Sequence, residues 1–266
     1  MKAKKTLSAL LAAAAALSAF FALPGNARAE SWYAKRNPDH NQPVLEPQFS
    51  YIEKYDAYYV DRKHKDAADE KVLYLTFDAG YENGNVEKIL NTLKEKNATG
   101  AFFILENLLL RNTELVERMA KEGNLVCNHT LRHKDMTRFH NESEFRAELE
   151  SLETLYREKT GREMSRYYRP PEGKFDEENL KMAQKLGYKT IFWSLAYADW
   201  DNAHQPEKAA AIKKIMDNTH NGAVILLHPT SATNAAILGE LIDRWRAEGY
   251  RFGTLDELTG RQAKTA

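Results

Sequence analysis

Residues 71–80 read Lys-Val-Leu-Tyr-Leu-Thr-Phe-Asp-Ala-Gly, an apolar and β-branched run that ends in a carboxylate and a glycine. Such a run predicts a buried β-strand. Asp78 comes directly after its apolar part, and Gly80 lets the backbone approach a ligand closely. These residues leave two interpretations of Asp78 open: a general base that takes a proton from an activated water, or the cap of a helix or turn.

Runs of this kind, rich in apolar, β-branched or aromatic residues, recur along the chain at 71–77, 98–105, 125–129, 166–169, 189–195, 222–228 and, more weakly, 250–254. Helical patterns lie between them, and glycines such as Gly123 and Gly161 mark the helix ends. Strands that alternate with helices predict βαβ units and a parallel sheet. Seven runs favour an α/β fold, a distorted (β/α) barrel of about seven strands in a single domain, over an open sheet.

The composition is that of an ordinary globular protein. Of 266 residues, 43% are hydrophobic and 29% are charged, and 38 Lys and Arg balance 38 Asp and Glu. Because this balance creates no overall field, we expect no nucleic-acid partner. The one cysteine, Cys127, cannot form an internal disulfide, and its apolar neighbours predict a buried thiol in preference to a nucleophile.

The first residues have the pattern of an export signal. Three lysines within the first five residues, an apolar run at 7–23 and the small-x-small sequence at 27–29 predict a signal peptide over residues 1–29. We therefore expect a secreted, extracytoplasmic protein with no stable membrane insertion after cleavage. A retained membrane anchor is the alternative.

Residues 30–70 are rich in Pro, Asn, His, Tyr and charged residues, without a sustained period. We interpret them as an N-terminal arm, with an amphipathic stretch near 51–59, that packs on the main domain. That domain is predicted to comprise residues 71–260.

Polar residues stand where the predicted strands end, or shortly after: Asp78, His129, Arg169, Asp199 and His228. In a parallel barrel, all strands open their carboxyl ends onto one face, where active sites are assembled. Structure alone explains five such residues poorly, so the sequence predicts an active site at this face.

His129 and His133 form an i, i+4 pair. If the segment turns helically, both imidazoles share a face and can hold one cation. The alternative is a pair of hydrogen-bonded surface histidines.

Arg169 begins the rigid turn at 169–173, where it could hold a carboxylate in its ionised form by a bidentate contact, or form a surface ion pair. His228 could be a core histidine or the acid that protonates a leaving amine. Asp199 is then the candidate that orients His228 or adjusts its pKa.

With these residues assembled, the chain resembles the polysaccharide deacetylases of carbohydrate esterase family four over residues 68–260. That family's first motif, Thr-Phe-Asp-Asp-Gly, is matched except at Ala79, and its fourth is matched without its first Asp, where Ala196 stands. The five motifs lie in order at 76–80, 129–133, 169–173, 199–200 and 226–228.

Three stretches, 78–84, 169–175 and 193–200, are similar to the subgroup that deacetylates N-acetylmuramic acid in peptidoglycan. This subgroup also lacks the second Asp of the first motif. The resemblance implies that peptidoglycan glycan strands are the partner, and that the reaction is a step toward the muramic δ-lactam of the spore cortex during sporulation.

The resemblance also implies a mechanism. A divalent ion, with zinc expected, is held by His129 and His133, and Asp78 is the base that Arg169 keeps ionised. The backbone N–H of Glu172 stabilises the oxyanion. His228, supported by Asp199, protonates the departing amine, and acetate and a free amino sugar result.

Ala79 departs from the family pattern because this position supplies the third protein ligand in most members. A two-histidine site completed by water or by Asp78 should bind metal more weakly, so we expect a loosely held ion. Asn83 or Asp135 could substitute, and the sequence leaves this open.

Three alternatives remain. A non-catalytic glycan-binding module is suggested by Ala79, Ala196 and the abundant Tyr and Trp. Another substrate is N-acetylglucosamine of peptidoglycan or of chitin oligomers. A two-carboxylate glycosidase would use Asp78 and Glu172 but would leave the histidine pair idle.

Overall fold

The computed structural model describes residues 29–36, 39–65 and 69–260, so residues 1–28 of the predicted signal peptide lie outside the described part. In the described part, the strands are β1 (Glu30–Ser31), β2 (Ala57–Tyr58), β3 (Lys71–Ala79), β4 (Ala101–Ile104), β5 (Leu125–Asn128), β6 (Ser165–Tyr168), β7 (Lys174–Phe175), β8 (Lys189–Ile191), β9 (Leu195–Ala196), β10 (Ala223–Leu227) and β11 (Tyr250–Phe252). The α-helices there are α1 (Val86–Glu95), α2 (Glu106–Arg111), α3 (Thr113–Lys121), α4 (Glu142–Thr160), α5 (Glu177–Lys185), α6 (Lys208–Asn218), α7 (Ala232–Ala247) and α8 (Leu255–Thr259).

The central sheet has nine strands among the described residues, in the order β2-β8-β6-β5-β4-β3-β10-β9, with β11 beside the start of β3. All its strand pairs are parallel. β8 lies next to one end of this order and β9 lies at the other end, yet only residues 192–194 separate the two strands in sequence. The sheet therefore curls into a distorted barrel, which confirms the predicted α/β fold.

The strand number differs from the expected seven for two reasons. The predicted run at 189–195 divides into β8 and β9, and β2 joins the sheet from the arm. β11 and β4 share one edge of β3, since β10 occupies the other edge over Leu73 to Phe77. The barrel is irregular at this point.

Side chains of β3 alternate between two apolar clusters. Val72 and Tyr74 lie in the inner cluster, with residues from β4, β5, β6, β8 and β10. Leu73, Leu75 and Ala79 lie in the outer cluster, between the sheet and helices such as α1 and α7. This period of two places Asp78 on the inner side at the end of the strand. Cys127 is buried in the inner cluster, as predicted.

The arm packs on the barrel through aromatic residues. Trp32 stacks on Phe192 with ring centroids 4.6 Å apart, and Phe49 and Ile52 lie in the same buried cluster. β1 pairs with β7, β2 pairs with β8, and Val60 forms a bridge to Ala223 at the start of β10. The predicted amphipathic stretch contains a 3-10 turn, Ile52–Tyr55, followed by β2.

Candidate active site

A cleft of about 840 Å³ opens at the carboxyl ends of the barrel strands. Its lining includes five of the predicted site residues: Asp78, His129, His133, Glu172 and His228. The other two, Arg169 and Asp199, lie behind the cleft wall with 0% and 1% of their surface exposed. The two buried residues can therefore act on the cleft only through the side chains that they contact.

Arg169 is held in one orientation by four acceptors. Its Nη1 donates to Asp78 Oδ1 at 2.7 Å, its Nη2 donates to Thr76 Oγ1 at 2.9 Å and more weakly to Phe192 O at 3.3 Å, and its Nε donates to Ile191 O at 2.9 Å. The prediction that Arg169 contacts a carboxylate in bidentate fashion was wrong. Only Nη1 contacts Asp78, because Nη2 donates to Thr76 and Phe192 instead. The surface ion pair is also excluded, since Arg169 is fully buried.

Asp78 stays ionised beside this guanidinium. Burial alone would raise the pKa of Asp78, but the charge of Arg169 and its hydrogen bond outweigh burial and hold the pKa below its usual value. The carboxylate is thus an anion at neutral pH. Asp78 lines the cleft, and its second oxygen, Oδ2, lies 3.6 Å from His129 Nε2.

The histidine pair meets through a tight turn and not through a helix. Thr130 and His133 have φ angles of 71° and 56°, in the left-handed region, and the backbone N–H of His133 donates to Thr130 Oγ1 at 2.9 Å. The two imidazole rings lie 5.0 Å apart. The helical turn that the spacing suggested is absent here, but the pair comes together.

His129 has the protonation state of a metal ligand. Its Nδ1–H donates to Arg169 O at 2.8 Å, which leaves the lone pair on Nε2, the nitrogen near Asp78. Burial lowers the pKa of His129 to about 4, so the ring is neutral at physiological pH.

The donor set suits a cation held by few protein ligands. Within the described ranges, no three His, Cys, Asp or Glu groups form a complete metal site. Ala79 is packed in the outer apolar cluster. Asn83 donates to Thr230 O, and Asp135 accepts from Thr137 at the start of the Met136–Arg138 turn, so both proposed substitutes are engaged elsewhere.

His228 pairs with the buried carboxylate of Asp199 and is itself partly exposed. Its Nδ1–H donates to Asp199 Oδ1 at 2.7 Å, and its backbone N–H donates to Asp199 Oδ2 at 2.8 Å. Burial lowers the pKa of His228, but the hydrogen bond and charge of Asp199 outweigh burial and raise the pKa above its usual value. His228 is therefore equipped to carry a proton near neutral pH.

The comparisons with known proteins agree with this geometry. A family model described as polysaccharide deacetylase matches residues 65–191. The chain is 38% identical over 229 residues to the peptidoglycan-N-acetylmuramic acid deacetylase PdaA of Bacillus subtilis, covering 86% of this chain and 85% of PdaA. This chain belongs to the polysaccharide deacetylase family.

One solved structure and a second relative are also similar to this chain, and they differ in identity and in the share of their length that it covers. The structure of Bacillus subtilis PdaA, a family 4 carbohydrate esterase, matches with a TM-score of 0.82 at 37% identity and covers 90% of this chain and 99% of that chain. The peptidoglycan-N-acetylglucosamine deacetylase PgdA of Listeria monocytogenes is 30% identical over 200 residues, which cover 74% of this chain and 40% of PgdA.

Glu172 occupies an unusual backbone position in this polysaccharide deacetylase. Its φ of 56° lies in the left-handed region, inside the turn Pro171–Gly173. Its exposed carboxylate pairs with Lys174 at 2.6 Å. This pairing gives no support to a two-carboxylate glycosidase, which needs Glu172 and Asp78 to share a substrate.

One buried side chain next to the site of this polysaccharide deacetylase was not predicted from the sequence. Asn234 on α7 donates through Nδ2 to Asp199 Oδ2 at 2.6 Å and to His228 O at 3.0 Å. It lies in the first turn of a helix whose apolar pattern begins only at Ile237. A polar residue near a helix start has many ordinary explanations, so no sequence signal distinguished it.

Proposed function

We propose that this chain removes the acetyl group from N-acetylmuramic acid in peptidoglycan glycan strands. The products are acetate and muramic acid, which is the precursor of muramic δ-lactam. The observation that carries the proposal is that a carboxylate suited to act as base, Asp78, and an imidazole suited to act as acid, His228, line one cleft, each hydrogen-bonded to its own buried partner. The likeness to PdaA over most of both chains supports N-acetylmuramic acid as the substrate.

The residues of the cleft divide the reaction between them. Asp78 takes a proton from the attacking water, and Arg169 keeps the carboxylate ionised. The backbone N–H of Glu172 donates to the developing oxyanion. His228, charged with the help of Asp199, gives a proton to the departing amine as the C–N bond breaks.

His129 and His133 would hold a divalent cation, with zinc as the expected ion, and the Asp78 carboxylate lies 3.6 Å from His129 Nε2. When bound, it supplies Lewis-acid polarisation of the acetamide carbonyl and acidifies a water. Two imidazoles without a third dedicated ligand favour loose binding. We therefore include a readily exchanged metal in the proposal.

Exposed aromatic rings at the rim suit a sugar substrate. Tyr81 and Trp200 line the cleft with 43% and 62% of their surface exposed, and the Trp200 ring lies 6.2 Å from that of His228. Aromatic faces of this kind stack on sugar rings. They would hold the glycan while the acetamide group lies near His228.

We further propose that the enzyme works outside the cytoplasm, in the cell wall or the spore cortex. The predicted signal peptide and the wall substrate of PdaA support this location. In the part of the chain that the structure describes, no helix is long and apolar enough to cross a membrane.

The deciding experiment is mass spectrometry of purified wall fragments after incubation with the metal-supplemented protein. We expect loss of acetyl from muramic acid residues, and a rate reduced by about 10²–10⁴-fold in Asp78→Asn. Loss of acetyl from N-acetylglucosamine would overturn the substrate and favour the activity named for PgdA. Binding of wall fragments without acetate release under any metal would favour the glycan-binding module.

A further inference from the structure

We propose that Asn234 and Tyr197 are positioning residues that hold Asp199, and through it His228, in the orientation that proton transfer requires. This inference rests on the proposed function, because His228 is given the role of the acid there. Asn234 lies outside every motif quoted from the sequence, and Tyr197 lies within the stretch 193–200 but was given no role there.

The hydrogen bonds allow one arrangement of the Asn234 amide. The Asp199 carboxylate can only accept, so the nitrogen that lies 2.6 Å from Asp199 Oδ2 must be the NH₂ group of Asn234. The same NH₂ group donates its second hydrogen to His228 O at 3.0 Å. Asn234 therefore ties the carboxylate and the backbone of His228 together through one side chain.

Tyr197 fixes the other side of this amide. Its hydroxyl donates to Asn234 Oδ1. Burial, with a contribution from the charge of Asp199, raises the pKa of Tyr197, so the hydroxyl remains a donor. The result is a chain of hydrogen bonds in which Tyr197 donates to Asn234, and Asn234 and the His228 ring both donate to the Asp199 carboxylate.

Three of the four residues in this chain of hydrogen bonds are shielded from water. Asn234 is 0% exposed, Asp199 1% and Tyr197 4%, and the His228 ring lines the cleft. Because water has little access to Asn234, Asp199 and Tyr197, it does not compete for their hydrogen bonds. These bonds therefore fix the direction of the Asp199 carboxylate tightly. Without Asn234, the carboxylate would keep the two bonds from His228 but could rotate with the ring.

The test combines Asn234→Ala with Asp199→Asn in a double-mutant cycle. We expect Asn234→Ala to lower kcat about tenfold with little change in KM, and to have no further effect in the Asp199→Asn background. Tyr197→Phe should give a smaller loss that does not add to that of Asn234→Ala. Additive losses in either cycle would overturn the inference.

The matched control is Thr233→Val. Thr233 lies beside Asn234 in the first turn of α7, and its hydroxyl donates to Pro206 O at 2.7 Å, whereas the Asn234 amide donates to Asp199. We expect Thr233→Val to lower the unfolding temperature and leave kcat within about twofold. An equal loss of kcat in this control would show that any damage to α7 suffices.

A readout without turnover separates this inference from the proposed function. The Nδ1 proton of His228 should give a downfield NMR signal that Asn234→Ala shifts or broadens and Thr233→Val leaves in place. Failure of the wild type to release acetate would overturn the proposed function but leave this signal to be measured. An unchanged signal in Asn234→Ala would overturn the positioning role.

Discussion

Arg169 satisfies four acceptors from one fully buried side chain, and a shorter cation cannot do the same. Lysine at this position would retain the charge but would have no planar group to reach Asp78, Thr76 and Ile191 together. We expect Arg169→Lys to lower the free energy of unfolding by about 1–3 kcal/mol, because buried acceptors lose their donor. Denaturant unfolding followed by circular dichroism measures this.

The control for Arg169→Lys is Arg166→Lys in β6, the strand that ends just before Arg169. Arg166 is partly exposed and pairs with Glu153 at 3.2 Å. We expect the control to change stability by no more than about 0.5 kcal/mol. Equal effects in the two variants would contradict a special role for the buried guanidinium.

In the proposed mechanism, Asp199 sets the pH range in which His228 acts as an acid. The pKa of His228 is raised by Asp199, so the proton is present below this raised value and is lost as the pH rises through it. Asp199→Asn removes the raising charge, and the alkaline limb of the kcat profile should move to lower pH. We also expect kcat to fall about 10- to 100-fold at its optimum. A pH–rate profile of both proteins measures the shift, and an unmoved alkaline limb would contradict it.

Among single residues, the position of those that end an apolar run could be predicted from the sequence. The position of those that act through another side chain could not. Asp78, His129 and His228 all line the cleft at the carboxyl ends of the strands, because the arrangement of parallel strands fixes where strand ends lie. The depth of Arg169 and the whole contribution of Asn234 depend on contacts across the barrel. No local pattern encodes such contacts.

The turn Pro171–Gly173 depends on a glycine with no room for a side chain. Gly173 has a φ of 64°, and a Cβ there would lie 2.8 Å from Trp193 Cη2 and 3.1 Å from Trp32 Cβ. We expect Gly173→Ala to displace the turn that carries the Glu172 N–H and to lower kcat. Steady-state kinetics and thermal unfolding of the same samples measure the two effects.

Gly161 is a matched control for Gly173. It has a φ of 67° at the end of α4, and a Cβ there meets nothing within 4 Å. We expect Gly161→Ala to cost about 1 kcal/mol of stability from the left-handed backbone alone and to leave kcat unchanged. If both variants lose kcat equally, the steric contact of Gly173 is not the cause.

The elements show where prediction from sequence stops. Each of the seven predicted runs contains a strand, since apolar runs between amphipathic helices leave little choice. β2 was not predicted, because Ala57–Tyr58 forms a strand only by pairing with β8. The division of 189–195 also depends on tertiary contacts: Phe192 N–H donates to Tyr58 O and Ser194 N–H donates to Val224 O, so the segment changes partners as it crosses the barrel.

For the molecule as a whole, metal binding should appear as added stability. A ligand that binds only the folded state at 100-fold excess over its Kd adds about 2.7 kcal/mol to the free energy of unfolding. We expect zinc to raise the unfolding temperature of chelator-treated protein, and the double variant His129→Ala, His133→Ala to abolish this rise. His204→Ala, which removes an exposed histidine paired with Asp201, should retain it. A rise that persists in the double variant would contradict the assigned ligands.

The arm also affects how this molecule reaches its native state. Trp32 leaves the ribosome early, yet its indole N–H donates to Trp193 O, 161 residues later in the chain. β2 likewise awaits β8, and β3 awaits β10 about 150 residues on. Contacts so distant in sequence make folding slow, because long loops must close before they gain any contact energy. We therefore expect the cleft to form late in folding. Before it forms, strand edges are exposed, and we expect a chaperone to bind these states.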